Sequence, residues 1–205
     1  MKLLRITCSL VVLLLSLVAF TFVTVLPAAA QQVLTPPPPS FETCKTVGNG
    51  TICQGHRTLS YGPVDASIVC GNGASAFDIF DSATFDQVAK RSYDQNGNLT
   101  RRDIHENYST GQFSNPLTGA VVPYTQHDNI TDVLAVPGDI SSATRTFTGE
   151  NIYKPAHGAP VLLNAGKVVT APDGTVEFRS GPQDFLDYFV NGDTSVIQKL
   201  CAALA

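Results

Sequence analysis

The chain has 205 residues, of which 43% are hydrophobic and only 15% are charged, and its formal net charge is −4. This composition provides enough apolar side chains for one folded domain, and it excludes a coiled coil, a collagen-like fibre and a basic nucleic-acid-binding protein. The 16 glycines and 13 prolines favour short strands and turns over charged amphipathic helices.

Residues 1–30 have the three parts of a secretory signal peptide. Lys2 and Arg5 form a basic start, 6–26 is an apolar run, and small residues at 28–30 suit a signal peptidase. We predict cleavage after Ala30 and secretion. The alternative is an uncleaved transmembrane anchor, because an apolar run of this length is about long enough to cross a bilayer. Cleavage leaves 11 basic and 17 acidic residues, a balance that argues against nucleic acid and acidic membrane surfaces as partners.

Four cysteines follow the signal segment: Cys44, Cys53, Cys70 and Cys201. An even number of cysteines in an exported chain predicts two disulfides, for which three pairings exist. The Gly-Asn-Gly turn signal at 48–50 favours a Cys44–Cys53 pair and leaves Cys70 to pair with Cys201. The alternative is a zinc site, but the chain has no Cys-x-x-Cys pair. We therefore expect neither a metal nor a cofactor.

Residues 31–40 form a proline-rich spacer, and 41–205 are predicted to be a single β domain. The Asn96-Gly97 pair is expected to form a two-residue type I′ turn. Further turn signals lie at 115–119, 136–139 and 172–174. The strands are predicted between these turns, at 85–93, 99–110, 120–131, 144–153, 161–170 and 175–178. This spacing is typical of an all-β fold, an antiparallel meander that forms a barrel or a sandwich.

The C-terminal residues follow a helical pattern instead. Residues 193–195 can cap a helix. The apolar residues that follow then fall on one helix face: Val196, Ile197, Leu200, Cys201 and Leu204. We predict one short amphipathic C-terminal helix.

Several segments, in their order along the chain, resemble a group of uncharacterised secreted proteins of actinobacteria. They are residues 92–102, 115–119, 166–169, 172–174 and the Leu-Cys-Ala-Ala-Leu ending at 200–204. The resemblance extends from about Phe77 to the C-terminus. It implies a secreted, mostly antiparallel β protein and carries no known activity, so it assigns no catalytic residue.

Two histidines lie in neighbouring predicted strands. If the turn at 115–119 places Ser114 opposite Ala120, then His105 faces Asn129, since side chains alternate along a strand. Five polar side chains then share one face of the sheet: Asp103, His105, Asn107, His127 and Asn129. Such a face can bind a ligand or a metal or act in acid–base chemistry. The alternative is an ordinary solvated outer face.

No nucleophile elbow, phosphate-binding loop or zinc-protease motif is present. We therefore favour a non-enzymatic secreted module that binds a small, partly apolar ligand or a surface partner. The alternative is a small secreted enzyme, an isomerase or hydrolase, that uses the His/Asp face or an Asp or Glu inside the barrel.

Overall fold

The computed structural model describes residues 32–205, so the predicted signal segment lies outside the described residues. The chain from Val33 to Ala205 forms one compact unit. Within the described part, no helix is long and apolar enough to cross a membrane. The elements are β1 (Thr43–Val47), β2 (Gly50–Cys70), β3 (Phe77–Tyr93), β4 (Leu99–Ser114), β5 (Val121–Leu134), β6 (Ala143–Tyr153), β7 (Leu162–Thr170), β8 (Val176–Ser180), α1 (Asp184–Phe189) and α2 (Gln198–Leu204).

The strands form one antiparallel sheet in the order β1 to β8, in which each strand pairs with its neighbours in the chain. The predicted all-β antiparallel meander is confirmed at this level. The sheet is not closed into a barrel, because the described part of the chain shows no pairing between β1 and β8.

Alternation along the long strands decides which face of the sheet is buried. On β3, Ile79, Ala83, Phe85 and Ala89 are buried, whereas Val88 between them is exposed. Side chains two residues apart point to the same side of a strand, so these residues define one inner face. The inner face of β5 carries Val122, Tyr124, Asp128, Asp132 and Leu134 in the same way.

The two helices cover part of this inner face. Leu200 and Leu204 of α2 are fully buried in the main apolar cluster, together with Ile68 and Ile79 of the sheet. The ring of Phe185 in α1 packs edge-on against the rings of Phe113 and Tyr153. A smaller apolar cluster contains Cys53, Tyr93, Leu99 and Leu134.

Both predicted disulfides are present. Cys44 and Cys53 join β1 to β2 across nine residues of sequence, and Cys70 and Cys201 join the end of β2 to α2 across 131 residues. The predicted C-terminal helix is confirmed as α2, and its last carbonyl, at Leu204, accepts a hydrogen bond from the Asn115 side chain at 2.9 Å.

Three elements, β1, β2 and α1, were not among the predicted strands and helix. Strand β2 runs for 21 residues, but Pro63 and two breaks in its pairing with β3, after Tyr61 and after Asp65, disturb the alternation. Helix α1 has only six residues and no capping side chain at Gln183. Neither segment therefore carries a clear periodic pattern.

The type I′ turn predicted at Asn96-Gly97 is wrong. Among the described residues other than glycine, only Ser67 has a positive φ, so Asn96 does not adopt the conformation that a type I′ turn needs. Instead, the Asp94 carboxylate accepts hydrogen bonds from the backbone N–H groups of Asn96 and Asn98, both at 2.8 Å. Asp94 thereby stabilises a longer loop in which Gly97 alone has a positive φ.

Part of the predicted spacer packs on the sheet. The backbone N–H of Thr35 donates to the carbonyl of Gly97, and the N–H of Leu99 donates to the carbonyl of Thr35, both at 2.8 Å. The hydroxyl of Tyr93 donates to the carbonyl of Pro36 at 2.9 Å. The proline-rich segment therefore covers the β3–β4 loop.

Candidate functional site

A pocket opens where strands β4 and β5 separate. Their ladder is interrupted between Asn107 and Gln112, and a pocket of about 550 Å³ lies beside this break. Its lining includes Pro123 and the hydroxyls of Ser60, Thr84 and Thr110, which face one another on the side of the sheet opposite the inner face. Its volume lies within the range of small-molecule sites.

Two tyrosines on the inner face, Tyr61 and Tyr124, share one carboxylate. The Tyr61 hydroxyl donates to Asp81 Oδ2 at 2.7 Å, and the Tyr124 hydroxyl donates to Asp81 Oδ1 at 2.9 Å. The two hydroxyl oxygens are 3.2 Å apart. We call Tyr61, Asp81 and Tyr124 the tyrosine–aspartate cluster.

Burial shifts the acid–base equilibria of this cluster. Desolvation raises the pKa of Asp81, although the two phenol hydrogen bonds oppose that change. Desolvation, together with the nearby charges of Asp81 and Glu106, raises the pKa of Tyr61 to about 12. The phenols are therefore neutral hydrogen-bond donors at neutral pH.

Glycine at position 111 makes room for one ring of the cluster. A Cβ atom on Gly111 would lie 2.2 Å from Cε2 of Tyr124, so the tyrosine ring lies directly against the glycine backbone. A larger residue at 111 would displace Tyr124 from Asp81.

Four aromatic rings pack together around the two phenols on the inner face. Tyr61 meets Phe85 edge-on at 6.2 Å between centroids, Phe85 stacks on Tyr108 at 4.6 Å, and Tyr108 lies 6.1 Å from Tyr124. The hydroxyls of Tyr61 and Tyr124 are also in contact, so each of the four side chains touches two of the others. Mutual packing of these rings holds both phenols in place.

A second group of carboxylates lies next to these rings. Glu106 and Asp128 face each other across β4 and β5 on the inner face. Glu106 accepts a hydrogen bond from the Gln87 amide at 2.6 Å, and Asp128 accepts one from Gln126. A Cβ on Gly149 would lie 2.5 Å from Asp128 Oδ1, so this glycine provides the space for the carboxylate.

Asp128 is buried without a cationic partner among the described residues. Burial, with a further contribution from the Glu106 charge, raises the pKa of Asp128 to about 6, although the Gln126 hydrogen bond acts in the opposite direction. Asp128 therefore exchanges its proton near neutral pH, which is the range in which general acids and bases work.

Asp132, two residues further along β5, has the opposite environment. It forms ion pairs with Arg102 and with Arg145, the latter at 2.8 Å. Burial alone would raise the pKa of Asp132, but hydrogen bonds from the two guanidinium groups outweigh burial and lower it. Asp132 is therefore a charged structural group.

The predicted outer polar face is present in the predicted register. His105 faces Asn129, Asn107 faces His127, and Asp103 faces Thr131. Close to the turn the prediction is wrong by one residue, because Ser114 faces Val121 rather than Ala120. The interruption between Asn107 and Gln112 absorbs this offset.

The outer polar face is shallow, and its carboxylate is neutralised. A pocket of about 200 Å³ lies over His105 and Asn129, and His105 Nδ1 lies 2.6 Å from Asn129 Oδ1. Arg101 binds both oxygens of Asp103, and this interaction lowers the pKa of the Asp103 carboxyl. Within residues 32–205 no group of three or more His, Cys, Asp or Glu side chains is arranged to hold a metal ion.

The tyrosine–aspartate cluster was missed because its members lie on three strands. Asp81 is 20 residues from Tyr61 and 43 from Tyr124. One signal was present in the sequence: Asp81 occupies the same set of alternate positions in β3 as the apolar residues Ile79, Ala83 and Phe85. A carboxylate at an apolar position of an alternating strand indicates a buried polar site.

No family model, no curated protein and no solved structure matches the chain. The resemblance to secreted actinobacterial proteins therefore stays an expectation, and the function has to be argued from the site.

Proposed function

We propose that the protein is an exported binding protein that holds a small, partly apolar ligand in the pocket between β4 and β5. The observation that carries this proposal is the pocket of about 550 Å³ beside the break between β4 and β5. Pro123 offers apolar surface, and the hydroxyls of Ser60, Thr84 and Thr110 offer polar contacts. The two disulfides support export, because such bonds persist in oxidising compartments.

The binding proposal is tested by filling the pocket. Thr110 lines the pocket and is exposed, so Thr110→Phe adds a ring there. Thr125, also exposed, lies on the neighbouring strand outside the pocket lining, and Thr125→Phe is the matched control. Saturation-transfer NMR with benzyl alcohol should show binding to the wild type and to the control, and little binding to Thr110→Phe. Equal binding to all three proteins would contradict the proposal.

Export has a separate test. The protein recovered from the medium of the producing cells should begin at Gln31 by N-terminal sequencing. Retention of residues 1–30 in a membrane fraction would contradict secretion, and it would leave the pocket unaffected.

A second candidate function is acid–base catalysis on the inner face. The observation that favours it is the pair of Glu106 and Asp128, in which the pKa of Asp128 is raised to about 6. An enzyme of this kind should hydrolyse some of a panel of p-nitrophenyl esters and glycosides, with a rate that changes near pH 6 and is lost in Asp128→Asn. The Asp103 carboxylate of the outer face suits such work less well, because Arg101 keeps it charged.

A further inference from the structure

A second pocket, of about 250 Å³, lies where β5 and β7 end and β6 begins. The strand residues in its lining are Asp132, Ala143, Arg145 and Thr170. Asp132 faces Arg145, and Arg145 faces Thr170, so these side chains share the inner face of the sheet. Residues 140–141 and the turn between β7 and β8 complete the lining. We call this site the arginine pocket; it is separate from the pocket beside the β4–β5 break, which opens on the opposite face.

Two arginines share one carboxylate at the arginine pocket. Nε and Nη2 of Arg102 donate to Oδ2 of Asp132, and Arg145 donates to both oxygens of the same carboxylate. Asp132 is almost fully buried, and within residues 32–205 neither arginine pairs with a second carboxylate. The three side chains therefore carry one net positive charge.

Arg145 uses only one edge of its guanidinium group for Asp132. Nε donates to Oδ1 at 2.8 Å and Nη2 donates to Oδ2 at 3.4 Å. A guanidinium has five N–H donors, and no other described residue accepts from Arg145, so both hydrogens of Nη1 and one of Nη2 are left. The Arg145 side chain is 51% exposed. Because Asp132 fixes one edge, the Nη1–Nη2 edge is held in place for a second oxyanion.

The carboxylates closest in sequence to this lining do not cancel the charge. Asp139 accepts hydrogen bonds from the backbone N–H and the hydroxyl of Ser141, at 2.9 and 2.6 Å. Asp173 accepts one from the backbone N–H of Thr175 at 2.9 Å. Both aspartates are exposed, and neither lines the pocket. Water and salt screen such exposed charges, so the positive charge of the arginines dominates inside the pocket.

A carboxylate matches the free edge of Arg145, since its two oxygens accept two parallel N–H bonds. Much of the remaining lining is apolar, from Ile140, Ala143, Ala171 and Pro172. We propose that the arginine pocket binds small organic carboxylates, with the carboxylate on the Nη1–Nη2 edge of Arg145 and the apolar body against Ile140 and Pro172. The pocket is smaller than most small-molecule sites, so a body of about one ring fits it.

Three probes test this ligand class: benzoate, benzamide and acetate. Benzamide has the shape of benzoate without its charge, and acetate has the charge without the ring. In NMR titrations of the wild-type protein at pH 7 and low salt, benzoate should bind at least about tenfold more tightly than benzamide, and more tightly than acetate. Equal affinity for benzoate and benzamide would overturn the proposal. Acetate binding as tightly as benzoate would overturn the placement of the apolar body.

A matched pair of variants locates the charge that binds benzoate. Arg145→Gln leaves Asp132 with Arg102 as its partner and should reduce the preference for benzoate over benzamide to about twofold or less. Arg101→Gln is the control, because the Arg101 side chain is also 51% exposed and also pairs with one carboxylate, that of Asp103 on the outer face. It should leave the preference unchanged. If both variants reduced the preference equally, overall charge would explain it, and the role of Arg145 would be refuted.

Two further measurements separate this proposal from the proposed function. Thr110→Phe fills the other pocket and should leave benzoate binding unchanged, whereas loss of benzoate binding in that variant would overturn the arginine pocket as its site. If Arg145→Gln does not fold, the arginine side-chain signals of the wild type decide. Benzoate should shift the Nε–H signal of Arg145 and leave that of Arg101 in place; no shift of the Arg145 signal at saturation would overturn the proposal. Failure of benzyl alcohol to bind contradicts only the proposed function, because that probe carries no charge.

Discussion

The two disulfides should differ strongly in what they contribute to stability. In the chain-entropy model, the contribution grows with the logarithm of the loop that the bond closes. The Cys70–Cys201 bond closes 131 residues and the Cys44–Cys53 bond closes nine. At 25 °C the model gives about 5 kcal/mol for the long loop and about 2.5 kcal/mol for the short one.

The comparison is best made with two double variants, Cys70→Ser/Cys201→Ser and Cys44→Ser/Cys53→Ser. Each replaces one fully buried cysteine, Cys70 or Cys53, so the cost of burying a serine hydroxyl is similar in both. Thermal unfolding followed by circular dichroism should show a Tm lowered by about 10–20 °C for the first variant and about 5–10 °C for the second.

Hydrogen exchange adds a local measurement. Without its bond to Cys70, helix α2 should exchange faster, because seven residues form a marginal helix when they are not docked. A Tm of the Cys44→Ser/Cys53→Ser variant equal to or below that of the Cys70→Ser/Cys201→Ser variant would refute the loop-size reasoning. So would unchanged exchange in α2.

Three further substitutions test the site and the ion network. Gly111→Ala should displace the Tyr124 ring from Asp81 and lower the unfolding free energy by about 1–3 kcal/mol; an unchanged unfolding free energy would show that the contact is unimportant. Asp128 holds its proton more tightly in the folded state, so the stability of the wild type should fall by about 2–3 kcal/mol between pH 4 and pH 7 relative to Asp128→Asn. If urea unfolding gave the same difference in unfolding free energy between the wild type and Asp128→Asn at both pH values, this reasoning would be refuted. Asp132→Asn leaves two arginines without their partner and should cost about 3 kcal/mol at pH 7, whereas a loss below about 1 kcal/mol would show that solvent screens the network.

Much of the fold could be predicted from local signals. Glycine turns mark the ends of β4 to β8, and each of these strands was expected within a few residues of its observed bounds. The spacing of Cys44 and Cys53 around a turn made their pairing predictable. The type I′ turn was not predictable from the Asn96-Gly97 pair alone, because the Asp94 side chain selects a different loop.

The site was harder to predict because it depends on irregularities. The outer polar face follows from regular alternation, so its register between residues 101–107 and 127–133 was predictable. The pocket exists because pairing between β4 and β5 fails after Asn107, and a single sequence does not show where a ladder breaks. The position of Tyr124 depends on Gly111, whose missing side chain leaves room for the tyrosine ring.

The central claim, that a small ligand binds in the pocket beside the break between β4 and β5, is tested most directly by a crystal structure of the protein soaked in benzyl alcohol. The account predicts electron density for the ring in that pocket, next to Thr110 and Pro123. Density on the outer polar face over His105, or no bound ligand at a concentration that saturates the protein in solution, would contradict it.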